Sequence, residues 1–255
     1  MKKAVCKLGL VVTLAMLAGG ALARTEGDKA VAGVGERLRA NDCEGAVKAL
    51  NGGLQAAYPE VALLAGTMFD AGLCVNKNWS KAMGLYTQAH DGGIREGALR
   101  LAAGFAAAAN GPDTAAALWW AKRARLDADF CTARLPDTED PDRFAEALRA
   151  WPARELELCN YVVGTMSFVS AEARYPMAGI SREIGGRTEV EFTPARAHFR
   201  SQTRGATRPA QVGISAVLVR AISLAGARYP QPKGIPPEWK VSYELVVDTD
   251  KNHWW

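Results

Sequence analysis

GRTEVEFTPARAHFRSQTR, residues 186–204, alternates apolar and polar side chains on both sides of a central proline. Alternation at a period of two marks a half-buried strand. Thr188, Val190 and Phe192 fall on one face, and Arg187, Glu189 and Glu191 on the other. A two-residue turn at Pro194-Ala195 would set Glu191 opposite His198, Glu189 opposite Arg200, Val190 opposite Phe199 and Phe192 opposite Ala197. This register matches opposite charges on one face and apolar groups on the other. Arg196, His198, Arg200 and Arg204 then line an outward face open to an acidic partner or an anionic envelope polymer. The plainer reading is a solvated face partly neutralised by Glu189 and Glu191.

Working outward, residues 153–174 carry Leu156, Cys159, Val162, Val163, Met166 and Val169 at helical spacing, and Tyr175-Pro176 ends that helix. Residues 209–226 open on a proline suited to a first helical turn and read as a second helix. Trp239, Val241, Tyr243, Leu245 and Val247 then share one face of a last strand. The order helix–strand–strand–helix–strand predicts a three-stranded antiparallel sheet with helices on one face.

The Tyr175-Pro176 entry, Gly185-Gly186 before Val190 and Phe192, and Tyr229-Pro230 with Pro232 and Gly234 before the strand from Trp239 resemble the C-terminal domain of TonB-family proteins. The likeness covers about 80 residues. Pro194-Ala195 replaces the usual Asp-Gly between the first two strands, and RGAT stands where a serine-glycine segment is usual. The resemblance implies a docking domain that binds peptides or proteins, by strand addition to a sheet edge. An alternative is a TonB-like adaptor in outer-membrane transport, which requires a retained membrane helix and a long proline-rich reach. The sequence shows neither.

Upstream, from about Arg24 to Ala173, the chain is rich in Ala, Leu, Arg and Glu at helical spacing. GTMFDAGLCVNKNWSKAMGLYTQAHDGG, residues 66–93, reads as two helices joined by a turn. Gly66 and Phe69 allow a close helix approach, Asn78 caps the second helix, and Gly92-Gly93 end it. Leu101, Ala102 and Phe105 repeat the first helix, while Trp119 and Trp120 stand 34 residues after Leu85 and Tyr86. Recurrence at this period marks a helical repeat array. Gly66, Phe69, Gly72, Val75, Lys81, Ala82, Tyr86, Ala89 and Gly92 resemble the Sel-one-like repeat family, relatives of tetratricopeptide repeats. That resemblance implies stacked helix pairs presenting a shared binding surface. Trp119 is expected between helices rather than against a ligand.

The N-terminus has Lys2, Lys3 and Lys7 beside the apolar run LGLVVTLAMLAGG, then small residues at Ala21 and Ala23. This is the pattern of a secretory leader, residues 1–23, cleaved after Ala23. Cys6 precedes the apolar run and so is no lipidation site. The chain holds 31 Lys and Arg against 27 Asp and Glu; without the three leader lysines the balance is 28 against 27. Bulk charge therefore points to no nucleic-acid partner. Cys43, Cys74, Cys131 and Cys159 remain, an even number in an exported chain, which allows two disulfides in three connectivities. Cys43–Cys74 and Cys131–Cys159 are favoured, since each pair spans about one helical unit. No CxxC spacing suggests zinc, and LPDTEDPDRF, residues 135–144, lacks the glycine of a calcium loop.

The expected organisation is a leader (1–23), a Sel-one-like helical region (24–134), an acidic proline-containing linker (135–152) and a TonB-like α+β domain (153–255). His90, His198 and His253 stand in no catalytic motif, and no GxSxG, P-loop or HExxH occurs. The expectation is a periplasmic protein-binding scaffold of the cell envelope with envelope proteins or peptides as partners, and without catalysis, cofactor, metal or a stable membrane span after leader cleavage. An envelope hydrolase or its inhibitor is a further alternative. Mass spectrometry of the exported protein should give a mature chain beginning at Arg24; a chain retaining Met1 would exclude the cleaved leader.

Overall fold

The computed structural model describes residues 25–126, 131, 134–172, 186–204 and 208–247. The expected leader, the Tyr175-Pro176 entry with Gly185, the side chains of Tyr243, Leu245 and Val247, and the tail beyond Val247 lie outside the described residues.

Most helices of the N-terminal half begin at a cap or proline that the local sequence supplies. Thr25 and Asp28 form a reciprocal capping box for α1 (Glu26–Arg39), and Asp42 accepts from the Gly45 N–H to open α2 (Cys43–Gln55). Pro59 occupies the first turn of α3 (Pro59–Ala71), which ends at Gly72 with φ +73°. Asn78 caps α4 (Trp79–Asp91) through the Lys81 N–H, as its position suggested. Then come α5 (Arg95–Ala106) and α6 (Thr114–Arg123), the latter capped by Asp113. Within the stretch expected as linker, Asp140 caps α7 (Pro141–Leu148), whose Phe144 is fully buried.

Successive helices lie against each other, α1 on α2, α3 on α4, α4 on α5 and α5 on α6. Missing side chains set how close they come. A Cβ on Gly66 would stand 2.6 Å from the Tyr86 ring, and one on Gly104 would overlap the Trp79 ring. Ala82, Tyr86 and Ala89 of α4 are fully buried, as are Ala117 and Ala121 of α6 and its C-cap Ala124. Two small apolar clusters fill the α1–α3 and α3–α5 interfaces.

The third and largest cluster runs without a break from α5 and α6 into the C-terminal part. There α8 (Ala153–Glu172) packs on α5, α6 and α9 (Arg208–Arg228). Strands β1 (Gly186–Thr193), β2 (His198–Arg204) and β3 (Val241–Val247) form an antiparallel sheet in the order β2-β1-β3. The fold is thus α+β with a three-stranded sheet, as the alternation indicated. Val190 and Phe192 are fully buried in the same cluster as Leu218, Ala221 and Ala225 of α9, and Tyr161 of α8 meets the Phe192 ring at 6.1 Å.

The hairpin register corrects the sequence reading. Glu191 lies opposite Arg200, Phe192 opposite Phe199 and Thr193 opposite His198, a slip of two residues. Pro194–Arg196 form a 3-10 turn, and Ala197 follows with φ +48°, so four residues make the connection rather than two. A slip of two preserves every residue's face. It exchanges the Phe192–Ala197 pair for stacked Phe192 and Phe199 rings, with centroids 4.3 Å apart.

Both favoured cysteine pairs stand at disulfide distance, Cys43–Cys74 with Cα atoms 5.1 Å apart and Cys131–Cys159 with 5.5 Å. The first ties α2 to the loop after α3, and the second ties α8 to residue 131. No helix among the described residues is long and apolar enough to cross a membrane.

Two glycine substitutions separate packing from propensity. Gly66→Ala forces a methyl group against the Tyr86 ring and should lower stability by about 1–3 kcal/mol. Gly84→Ala, on the exposed face of α4 with nothing within 4 Å of the new Cβ, should raise it by about 0.5–1 kcal/mol. Denaturant unfolding of the two variants checks the opposite signs.

Candidate functional site

Asp70 ends the buried face of α3, and Arg228 is the last residue of α9. The Arg228 Nη2 donates to both carboxylate oxygens of Asp70 at 3.2 and 3.1 Å, joining residues 158 apart in the chain. The guanidinium also lies 5.4 Å from the Phe168 ring centre. Burial works against its charge, but Tyr229 and Asp70 outweigh that and raise its pKa above the ordinary arginine value. A second buried cation, Arg100 of α5, donates to Glu172 of α8, to Glu96 at 3.3 Å and to the Ala171 carbonyl at 3.1 Å. Burial opposes this charge too, and Glu172, Tyr86 and Glu96 hold it. Both cations act on Tyr86, whose hydroxyl burial pushes far above the ordinary tyrosine range while Arg100, Asp70 and Arg228 also influence it. The two ion pairs therefore share one neighbourhood and lock the helical stack to the α+β part.

Beside this lock opens a cleft of about 510 Å³. Ala106, Ala108 and Pro112 form one wall, Arg154, Glu157, Asn160 and Tyr161 of α8 a second, and residues 228–233 the third. Each wall is tied across the chain. Tyr229 Oη donates to the Ala103 carbonyl at 2.6 Å, Asn160 Nδ2 to the Ala106 carbonyl at 3.0 Å, and Gln231 Nε2 to the Pro194 carbonyl at 2.9 Å. Gly164 makes room for this closeness, because a Cβ there would stand 2.8 Å from the Tyr229 ring. Burial pushes the Tyr161 hydroxyl up to about 12, so it stays a neutral hydrogen-bonding group at physiological pH.

A smaller pocket of about 320 Å³ lies among His90, Trp119, Lys122, Arg123 and Arg125. Thr138 and Glu139 of the acidic loop line its other side. Lys122 donates to the Pro136 carbonyl at 2.9 Å, and Arg123 pairs with Glu139 at 3.1 Å while lying 4.1 Å above the Trp119 ring.

The repeat-signature side chains are occupied in helix contacts. Ala82, Tyr86 and Ala89 are fully buried, Gly66 abuts Tyr86, Gly72 terminates α3, and Lys81 sits 5.3 Å from the Phe69 ring centre. Trp119 meets Phe144 edge-on at 5.2 Å, and Trp120 meets His90 at 5.3 Å. Arg196 belongs to the turn before β2 rather than to the strand. His198, Arg200 and Arg204 are exposed on the strand face shared with Glu189 and Glu191. Arg204 pairs with Glu189 at 3.7 Å, and Lys240 takes Glu191 at 3.4 Å.

Among the described residues no group of three or more His, Cys, Asp or Glu side chains is placed to hold a metal ion. Asp70, Arg100, Glu172 and Arg228 escaped the sequence reading. Their signal was a charge set in an apolar helical context, as in TMFDAG and ALRLAAG. Comparison with protein-family models, with curated proteins and with solved structures finds no match.

Asp70→Ala leaves the Arg228 cation in the interface without its counter-charge. Stability should fall by about 3 kcal/mol, the lower end for a broken buried pair because Arg228 keeps some solvent access. The double variant Asp70→Ala, Arg228→Leu should recover most of that loss, and a double-mutant cycle by thermal unfolding measures the difference.

Proposed function

We propose that the chain is a protein-binding scaffold of the bacterial cell envelope, acting in the periplasm without catalysis. The Sel-one-like pattern in the helical part and the TonB-like pattern after it both belong to modules that hold partners rather than transform them. The leader pattern and two cysteine pairs at disulfide distance suit an oxidising compartment.

The observation that carries this reading is the outer edge of β2. β2 is an outer strand that pairs with β1, and among the described residues no strand pairs with its other edge. His198, Arg200, Ser201, Gln202 and Arg204 are all exposed along it. An extended segment of a partner can add there, with backbone hydrogen bonds supplying affinity and alternate side chains supplying choice. The basic side chains of β2 favour an acidic segment.

A photo-crosslinking amino acid at Ser201, in cells exporting the protein, tests this edge against the same group at exposed Gln88 of α4. A defined protein adduct from position 201, absent from 88 and weakened by Arg200→Glu, is the expected result. No adduct at 201, or equal adducts at both positions, would remove the proposal.

A further inference from the structure

The outward face of α9 lacks the polar character of a solvated helix. Among the described residues four large apolar side chains are exposed, and three of them stand on this helix: Val212 at 64 %, Val219 at 67 % and Leu224 at 44 %. The inner face, with Leu218, Ala221 and Ala225, is already committed to the core. Val212, Ala216, Val219, Ser223 and Gly226 follow one another at steps of four and three residues, which sets them in one stripe opposite that inner face. All five are exposed, and nothing stands within 4 Å of where a Cβ on Gly226 would be. Arg220 is the only charged residue between Arg208 and Arg228. A helix apolar on all sides is ordinarily a covered one, and this stripe calls for a cover.

The chain itself supplies a candidate close by. Arg187 of β1 lies between Arg204 of β2 and Val246 of β3, so β2 and β3 finish side by side at one end of the sheet. Helix α9 begins four residues after Arg204, and residues 248–255, DTDKNHWW, follow the last residue of β3 at that same end. Eight extended residues reach up to about 26 Å. The helix is about 10 Å across, and Val219 lies about 17 Å along it from its start. The stripe is therefore within reach, and its chemistry fits the segment. Asp248 and Asp250 complement the positive N-terminal end of α9, whose first turn holds no acid of its own. Trp254 and Trp255 carry large apolar rings, and the short side chains of Ala216 and Ser223 leave a shallow seat for them beside the valines. Docking removes ring and valine surface from water together.

We infer that the outer face of α9 is the docking site of residues 248–255, with Trp254 and Trp255 laid over Val212, Ala216 and Val219. Fluorine NMR of the protein labelled with 5-fluorotryptophan tests it, Trp254→Phe and Trp255→Phe assigning two of the seven resonances. Both should lie away from their positions in a synthetic peptide of residues 248–255, at shifts independent of protein concentration. Val219→Asp should return both to the peptide positions, and so should the milder pair Val212→Ser with Val219→Ser. The other five tryptophan resonances report that each variant keeps its fold. Arg200→Glu on β2 should move neither resonance, so this docking site and the β2 edge are judged separately. Peptide-like shifts in the unaltered protein, or displaced shifts indifferent to the α9 variants, overturn the assignment. A displacement that grows with protein concentration overturns it equally, since the face would then pair with a second copy.

Discussion

Helix α8 has no solvent face to speak of along its middle, and the rest of the structure depends on that. Twelve of its twenty residues are buried, from Leu158 through Ala171, so it is covered from more than one side. The helical stack covers it through α5 and α6, and α9 and the sheet cover it from elsewhere. A three-stranded sheet of this size cannot bury its own apolar face and needs a helix to cover it. Here α8 closes the stack and joins α9 in covering the sheet, where its Tyr161 meets Phe192, so the two halves share one core. Cys131–Cys159 and the Asn160–Ala106 hydrogen bond fasten this helix at its first turns. Arg100 holds its last turn through Glu172 and Ala171.

The same constraint explains where the sequence was readable and where it misled. A stripe of Leu156, Cys159, Val162, Val163, Met166 and Val169 identifies α8, but it counts apolar side chains alone. Gly164, Thr165 and Ser167 are buried as well, and Gly164 lets Tyr229 and Ala106 come close. Small polar residues at a tight interface look like solvent positions on a helical wheel, so the stripe underestimates burial. The hairpin shows the complementary case. Alternation fixed the faces of β1 and β2 correctly because the side-chain period is two, while the pairing depended on a turn that alternation does not encode. Ala197 in a left-handed conformation is not something Pro194-Ala195 announces.

Long-range charge pairs were invisible for a different reason. Asp70 and Arg228 lie 158 residues apart in the chain, and nothing local to either names the other. Each looks like an ordinary helix-terminal charge. Their burial follows only once α9 lies across the stack, which places the Arg228 guanidinium over Phe168 and against Asp70. Such pairs add less net stability than their number suggests, since desolvation offsets attraction. What they impose is geometry: a shifted α9 would strand a charge, so the segment after it, residues 228–233, is held where it walls the cleft.

The charge pattern of β2 argues the final point. An exposed edge strand invites pairing with a second copy of itself, and proteins oppose this with charge along the edge. An antiparallel self-pair centred on Ser201 would set His198 against Arg204 of the second copy, and one centred on Arg200 would set two arginines face to face. The second arrangement places like charges directly opposite, which is unfavourable. An acidic extended segment meets no such penalty. The side chains that disfavour self-association therefore also select the kind of strand the proposed docking edge can accept, while Glu189 offsets Arg204 and Glu191 pairs with Lys240 outside β2.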